Sequence, residues 1–325
     1  MNYSFFGTCA NDYEQLFSCL DTIIEQTIQP SQIILVNSGV KDIKRFILEK
    51  LHKKNIKLLY VKKHLTRVRA LNIAIDLLNT TYAFRFDTRT RFSKSYAENS
   101  LRVLNDKDLG ASIVGGVPEI IDEKNNPESK LCAEIMNRSY IFFYPKHRNK
   151  EYSGFCSSIY LGCFKTNLLK EIRFNENEAL ISEDSLIVND FLKKGFKAYL
   201  SSKIKISYVS RDSLINILKL FNTYGFCRAN TILISKKIFI SPRHFFAFIT
   251  LIILLITLSS FSLIVYLPII VLLINIFGEI VSSHKIDKMH IPIYASLCQL
   301  SWILGFLWSL FTIFSKNKSK SNFIY

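Results

Sequence analysis

Tyr82-Ala83-Phe84-Arg85-Phe86-Asp87-Thr88-Arg89-Thr90-Arg91 opens with five residues of apolar and aromatic bias, then runs directly into one carboxylate and two alternating arginines. The opening five read as a buried strand. A strand that ends on an acid and cations is a place to hold a charged ligand. In open α/β sheets ligands sit beyond the carboxyl ends of the strands, so position and chemistry both point at Asp87.

Working back from this stretch, Arg67 to Leu78 reads as a helix with Val68, Leu71, Ile75 and Leu78 on one face. Before it lie a strand at Ile56 to Val61, a helix from about Lys41 to His52, and a strand at Gln32 to Val36 closed by the turn signal Asn37-Ser38-Gly39. Tyr3 to Gly7 is a first strand. Asn11-Asp12 opens a helix whose apolar positions Leu16, Cys19, Leu20, Ile23 and Ile24 recur at spacings of three and four, and Pro30 ends it. The order over about the first 90 residues is β-α-β-α-β-α-β, which predicts an α/β fold with a mainly parallel sheet flanked by helices.

Working forward, a helix at Tyr96 to Leu104 precedes a strand at Ala111 to Val114, ending on Gly115-Gly116, where small residues allow another backbone or a ligand to come close. Residues 122 to 152 are polar, carry both charge signs and show no period; they read as an excursion without assigned structure. Strand patterning returns at Ser157 to Phe164. A helix starts near Ser182-Glu183-Asp184 and stops at Gly195, with short strands at Phe196 to Leu200 and Ile204 to Val209. Leu214, Ile217, Leu218 and Phe221 follow at helical spacing with Lys219 and Arg228 nearby, a pattern that suits an amphipathic helix on a membrane surface and equally one packed on a globular domain.

Phe245 to Gly278 contains no charged residue. As one helix it would extend roughly 50 Å, against a hydrocarbon core of about 30 Å. Two short spans are therefore expected, about 245 to 261 and 263 to 281, separated near Ser259-Ser260-Phe261-Ser262. After a polar link from Ser282 to His290, Ile291 to Phe314 is a third hydrophobic segment. Lys236, Lys237 and Arg243 before the first span, and Lys285 and Lys288 after the second, place the preceding domain in the cytoplasm; the tail Lys316-Asn317-Lys318-Ser319-Lys320 disagrees if the third segment crosses fully. The expected organisation is a catalytic domain at 1–210, an amphipathic segment at 211–243, a membrane segment of two or three helices at 244–315 and a basic tail at 316–325.

The whole chain of 325 residues carries a formal charge of +16 with 49% hydrophobic residues, which favours anionic lipid or phosphorylated substrates as partners. The runs Lys53-Lys54, Lys57 and Lys62-Lys63 lack interleaved aromatics and read as solvated surface, so no nucleic-acid partner is expected. Seven cysteines with no C-x-x-C pair read as reduced thiols facing the cytosol, and no secretory leader is expected at the N-terminus.

Asp87 suits a divalent cation whose shell is completed by waters and a diphosphate, with Arg85, Arg89 and Arg91 as reinforcing cations; the bland reading is a solvated acidic turn with compensating arginines. Asp184, beside Glu183 in a first helical turn, is the candidate general base, kept ionised by the helix dipole; acids in that position often only complement the dipole. Arg69 and Asn72, three apart, share a face and suit a nucleotide's phosphate and base, or form an ordinary polar face. Asn11 and Asn37 end loops on the ligand side of the sheet, where capping explains them as well. The histidines show no metal-ligand spacing.

In their order and separations these segments resemble the family 2 glycosyltransferases of GT-A fold, from about residue 3 to 314, and among them the membrane-attached bacterial enzymes of exopolysaccharide and O-antigen assembly, the succinoglycan-synthase type. Thr8-Cys9-Ala10-Asn11-Asp12 resembles the end of the family's first strand with its asparagine and acid, and Glu25-Gln26-Thr27 the close of its first helix. Ile33 to Gly39 stands where the family has a strand, an aspartate and a glycine turn. Arg69-Ala70-Leu71-Asn72 is similar to the arginine and asparagine before the metal strand. Arg85-Phe86-Asp87-Thr88-Arg89 resembles the D-x-D element, Tyr160 to Phe164 the acceptor-side strand, Ser182-Glu183-Asp184 the E-D motif, and Tyr224-Gly225 with Arg228 the segment before the membrane.

The resemblance implies an inverting transfer from a nucleotide-diphosphate sugar, UDP-linked in the first place. Asp184 would be the base beside Glu183, and Asp87 would hold Mg²⁺ or Mn²⁺. Thr8, Asn11, Asn37, Arg69, Asn72, Arg85, Asp87 and Arg89 would bind the donor; Tyr160, Gly162 and Arg228 would lie on the acceptor side. Asn37 replaces the family's aspartate and Arg89 the second acid of D-x-D. No Q-x-x-R-W motif is present, so one sugar is expected per acceptor. That acceptor is expected to be a polyprenyl-diphosphate-linked saccharide, at the cytoplasmic face of a bacterial inner membrane with anionic lipid. The alternatives are transfer directly to polyprenyl phosphate and an inactive membrane partner in a polysaccharide complex.

Overall fold

The structure, a computed structural model, describes residues 2–142, 145–176, 183–235, 266–283 and 290–321. It divides into two compact units. Met1–Ile121, Lys146–Glu178 and Glu183–Val209 build the first; Asp122–Pro145 and Ser210–Tyr325 supply most of the second.

In the first unit, β1 (Tyr3–Cys9), α1 (Tyr13–Ile24), β2 (Gln32–Asn37), α2 (Lys44–Leu51), β3 (Lys57–Lys62), α3 (Arg67–Asp76) and β4 (Tyr82–Phe86) follow in the alternation expected. Beyond them come β5 (Thr90–Phe92), α4 (Tyr96–Leu104), β6 (Ala111–Gly115) and β7 (Pro118–Ile121), and, after the segment of the second unit, β8 (Gly154–Phe155), β9 (Cys163–Lys165), α6 (Thr166–Ile172), α7 (Glu183–Lys193), β10 (Lys197–Leu200) and β11 (Ile206–Val209). The main sheet has the order β3-β2-β1-β4-β9-β6-β10-β8, and β5-β11-β7 form a second, small sheet. Strands β3, β2, β1 and β4 run parallel to one another, as do β6 and β10; β9 is antiparallel to both β4 and β6, and β8 to β10.

The strand order reverses between β1 and β4, because the chain first winds outward to β3 and then returns through α3 to the other side of β1. Such a reversal leaves a crevice at the carboxyl ends of the two strands. Residues 8–12 and 86–89 therefore meet there. Period-two alternation sorts β4 by face: Phe84 and Phe86 enter one core with Phe5, Phe92 and Tyr96, while Ala83 enters the opposite core with residues of α3 and α7. Phe5 and Phe84 pack edge to face at 5.6 Å, and Phe92 lies 4.6 Å from Tyr96. Each buried ring of this kind contributes on the order of 1.5–3 kcal/mol through area removed from water. Gly7 must be small: a Cβ there would stand 2.7 Å from the Phe86 carbonyl oxygen.

Three local outcomes differ from the sequence reading. The strand expected over Ser157 to Phe164 is reduced to Cys163–Lys165, because Leu161 and Gly162 have φ of +60° and +88° and break the extended backbone. Thr90 to Phe92 pairs with β11 in the small sheet, so the opening stretch crosses from one sheet to the other at Asp87-Thr88-Arg89. The excursion at 122 to 152 contains a helix, α5 (Pro127–Asn137). Its start was legible: Asn126 caps it by accepting from the Ser129 amide at 2.8 Å, and Pro127 stands where a helix tolerates a missing N–H.

In the second unit α5 lies with α8 (Leu214–Ser235), α9 (Tyr266–Ser283) and α10 (His290–Ser321). The helices α8 and α10 approach closely at glycines: a Cβ on Gly225 would meet the Trp302 carbonyl oxygen at 1.9 Å, and one on Gly305 the Asn222 carbonyl oxygen at 2.0 Å. Among the described residues one helix, His290–Thr312 with mean hydropathy 1.4, is long and apolar enough to cross a membrane. Leu267–Val281 is apolar but shorter. The expected span at 245 to 261, and the flanking Lys236, Lys237, Arg243, Lys285 and Lys288, lie outside the described residues.

Candidate active site

At the reversal point the chain end of β4 faces the start of α7, and five charged side chains form one connected group. Arg85 is 1% exposed and directs its guanidinium to Asp184 and, at 2.9 Å, to Glu183. Arg67, on the first turn of α3 and half exposed, pairs with Asp87 and also reaches Glu183 at 2.9 Å. Two cations and three carboxylates thus share one network, with Glu183 Oε1 contacted by both arginines. The sequence explains the geometry. Arg85 and Asp87 are two apart in an extended chain and share a face. That face is covered by the helix beginning at Glu183.

The electrostatics separate the three acids. Burial pushes the Asp87 carboxyl up, but Arg67 and Arg85 outweigh it and hold the group below its ordinary value. Glu183 behaves likewise, lowered by Arg85 and Arg67 against its burial. Asp184 ends above its ordinary value, raised by burial and by the neighbouring charges of Glu183 and Asp87, with Arg85 and Arg67 opposing. The helix dipole expected to keep Asp184 ionised is overridden by its surroundings. A carboxylate raised in this way is a stronger proton acceptor once ionised.

Arg85 holds the start of α7: among the described residues its guanidinium meets Glu183, Asp184 and, 5.2 Å away, the Phe174 ring. Asn72 is also buried. Its amide donates to the Phe174 carbonyl and to Glu176, both at 2.9 Å, and accepts from the Phe174 amide at 3.0 Å. Arg69 lies 3.9 Å from the same Glu176. The two do share a face, and that face anchors the chain at Phe174 and Glu176. Asn37 uses both amide protons on the Lys41 carbonyl and the Tyr60 hydroxyl, and its oxygen accepts from Gly39 and Cys9. Its turn consumes all four positions, so the structure gives it a loop-holding role.

Asn11 is exposed and accepts from the Val40 amide at 3.0 Å. Thr8 is half-buried near the carboxyl end of β1. Thr88 donates to Asp12, tying the ends of β1 and β4 together at the crevice. Arg89 is half-buried, and its backbone binds Val209. Arg91 turns away to Gln15, with 2.8 Å between its guanidinium and the Gln15 amide oxygen. Tyr160 shares a hydrogen bond with Thr90 at 3.0 Å, and the Gly162 carbonyl accepts from the Arg85 amide at 3.1 Å. Arg228 belongs to α8 in the second unit.

Sequence reasoning missed Arg67 and Asp12. Arg69, not Arg67, carries the motif spacing with Asn72; two residues apart on a helix, the two arginines point nearly opposite ways. For a divalent cation, no group of three His, Cys, Asp or Glu side chains converges among the described residues. Asp87 alone, 21% exposed and in direct contact with the half-exposed Arg67, fits a cation held by one carboxylate and completed by a diphosphate.

A family model described as "Glycosyl transferase family 2" matches residues 5–168, half of the chain. A Methanococcus voltae dolichyl N-acetyl-alpha-D-glucosaminyl phosphate 3-beta-D-2,3-diacetamido-2,3-dideoxy-beta-D-glucuronosyltransferase is 22% identical over 90% of this chain and 92% of its own. An uncharacterized glycosyltransferase of Haemophilus influenzae is 31% identical over 36% of each chain. Among solved structures, the mannosyltransferase PcManGT of Pyrobaculum calidifontis, in complex with GDP-Man and Mn²⁺, is similar in fold with a TM-score of 0.56 and 12% identity, over 94% of this chain and 87% of that one. The charged crevice at the β1/β4 reversal and the span matched by the family model agree, and the chain belongs to glycosyltransferase family 2.

Proposed function

We propose that this glycosyltransferase moves one sugar, with inversion, from a nucleotide-diphosphate sugar to a lipid-linked saccharide in bacterial exopolysaccharide or O-antigen synthesis. The observation that carries the reading is the convergence of Asp87 and Asp184 through Arg67, Glu183 and Arg85 at the strand-order reversal. PcManGT supports a nucleotide-sugar donor, and the M. voltae relative, named for a dolichyl-phosphate-linked sugar, supports an acceptor on a polyprenyl phosphate or diphosphate. UDP is our first choice of nucleotide. The apolar α10 and the cations flanking the undescribed 245–261 stretch support placement at the cytoplasmic face of the inner membrane.

In this mechanism Asp184 accepts the proton of the acceptor hydroxyl as that oxygen attacks the anomeric carbon, from the side opposite the diphosphate. Arg85 holds the Asp184 carboxylate by its rigid fork. Mg²⁺ or Mn²⁺ at Asp87 would supply neutralisation of charge on the departing diphosphate. Thr8, Asn11 and Arg89 border the crevice from the ends of β1 and β4 and are the residues assigned to the donor. Tyr160 and Gly162 are assigned to the acceptor side.

Asp184→Asn removes the base with little change of shape. The expected result is loss of transfer by a factor on the order of 10² or more with donor binding retained in a thermal-shift assay. Transfer at the wild-type rate would overturn the assignment. Mass spectrometry of the lipid product distinguishes the acceptors: a single sugar on a monophosphate carrier identifies direct transfer to polyprenyl phosphate.

A further inference from the structure

The proposed mechanism gives no task to Arg67, the exposed cation of the group at the crevice. Arg67 contributes Nη2 to Asp87 and Nε to Glu183, at 2.9 Å for the latter, and so bridges the acid assigned to the cation and the acid preceding the base. The two arginines of the network are held very differently. Arg85 is enclosed, 1% exposed, whereas Arg67 is 51% exposed at the first turn of its helix and borders solvent while paired with its two carboxylates. One is sealed in; the other is within reach of an incoming ligand.

We propose that Arg67 is a positioning residue that stands in the cation's place on Asp87 and is exchanged for it when the donor binds, its guanidinium then pairing with the diphosphate. The inference rests on the reading of Asp87 as the cation-holding acid. Its physical basis is charge balance. Three carboxylates facing two guanidinium groups leave one negative charge in excess. A divalent cation added to that group would leave it one positive charge in excess, so a half-exposed cation in contact with the same carboxylate is driven outward. A diphosphate arriving with the cation restores the balance and gives the released fork a matching partner, because guanidinium binds phosphate oxygens in pairs.

Mn²⁺ binding, followed by electron paramagnetic resonance of the free ion, tests this on the full-length protein in detergent, with and without UDP as the nucleoside diphosphate. In the wild type Mn²⁺ alone is expected to bind weakly and UDP to strengthen it. Arg67→Met should strengthen binding of Mn²⁺ alone by about tenfold, the scale on which one neighbouring cation shifts a carboxylate's affinity, while weakening UDP binding at saturating Mn²⁺. Arg67→Lys, which keeps the charge, should leave Mn²⁺ binding near the wild type. Equal Mn²⁺ affinity in the wild type and Arg67→Met overturns the proposal. Asp87→Asn, measured alongside, tells the two failures apart: if Asp87→Asn also leaves Mn²⁺ binding in the presence of UDP unchanged, the assignment of Asp87 itself is wrong, and if it abolishes that binding, only the role of Arg67 falls. A merely structural Arg67 would lower the unfolding temperature of the methionine variant without raising its affinity for Mn²⁺.

Discussion

Arg85 sets the energetic terms of the site, because an enclosed cation is tolerated only with partners. Removing one member of a buried ion pair leaves the other uncompensated and costs about 3–5 kcal/mol, toward the lower end here since Glu183 and Asp184 keep some solvent. Arg85→Met is therefore expected to lower stability by about 3 kcal/mol in denaturant unfolding, and Arg85→Lys to lose less while still misplacing Asp184, since an ammonium has no fork. The acids predict two losses as pH falls, at different points because their shifts are opposite. Asp184 is raised and must be ionised to act, so the acid limb of kcat/KM should fall above the ordinary aspartate range; a limb at or below that range would contradict the environment described. Asp87 and Glu183 are lowered, so the stability they contribute is present above their unfolded values and is lost as pH falls through their folded ones.

Elements carry the site by anchoring short pieces of irregular chain. Asn72 on α3 satisfies both backbone groups of Phe174, beyond the end of α6. Asn72→Ala leaves those buried groups without partners, a loss of about 1–3 kcal/mol in denaturant unfolding; unchanged stability would remove Asn72 from the account. In the second unit, Arg138 holds the fully buried Glu279 of α9 through Nε at 2.9 Å and Nη2 at 3.0 Å, and the Tyr140 hydroxyl joins them at 3.0 Å. One turn earlier Asn275 donates to Ser296 and Gln299 of α10. An acid inside an apolar helix is costly unless paired. Glu279→Leu should therefore free Arg138 and reduce amide hydrogen-exchange protection across Pro127–Asn137, whereas unchanged protection would show that apolar packing alone holds that helix.

Across the whole molecule, one unit is an enzyme core with buried faces and the other presents apolar faces outward. Leu273, Phe277, Ile280 and Val281 of α9 and Leu304, Trp308 and Phe311 of α10 are each at least half exposed or close to it, reaching 69% at Phe277. Contiguous exposure of that kind marks a surface meant for lipid or protein. The full-length protein should remain in the membrane fraction after an alkaline carbonate wash; release into the supernatant would make these faces a protein interface instead.

The sequence by itself determined the winding of the first four strands, since period-two and period-3.6 patterns report locally which face of each element is buried. It also placed Asp87 at a strand end and Glu183-Asp184 at a helix start, because both positions follow from element boundaries. The helix at 127–137 was legible through its asparagine cap and proline, but its polar flanks hid it among charges. What only the tertiary structure decided is which charges meet. Arg67 and Arg69 are equivalent as residue types, and nothing local says that Arg67 reaches Asp87 and Glu183 while Arg69 faces Glu176. Likewise the amides of Asn37 and Asn72 read as donors for a ligand until the fold supplies backbone partners for them. Ion pairing in the site depends on distances between residues such as Arg85 and Asp184, 99 positions apart, fixed by the β1/β4 reversal and not by any pattern within a single element.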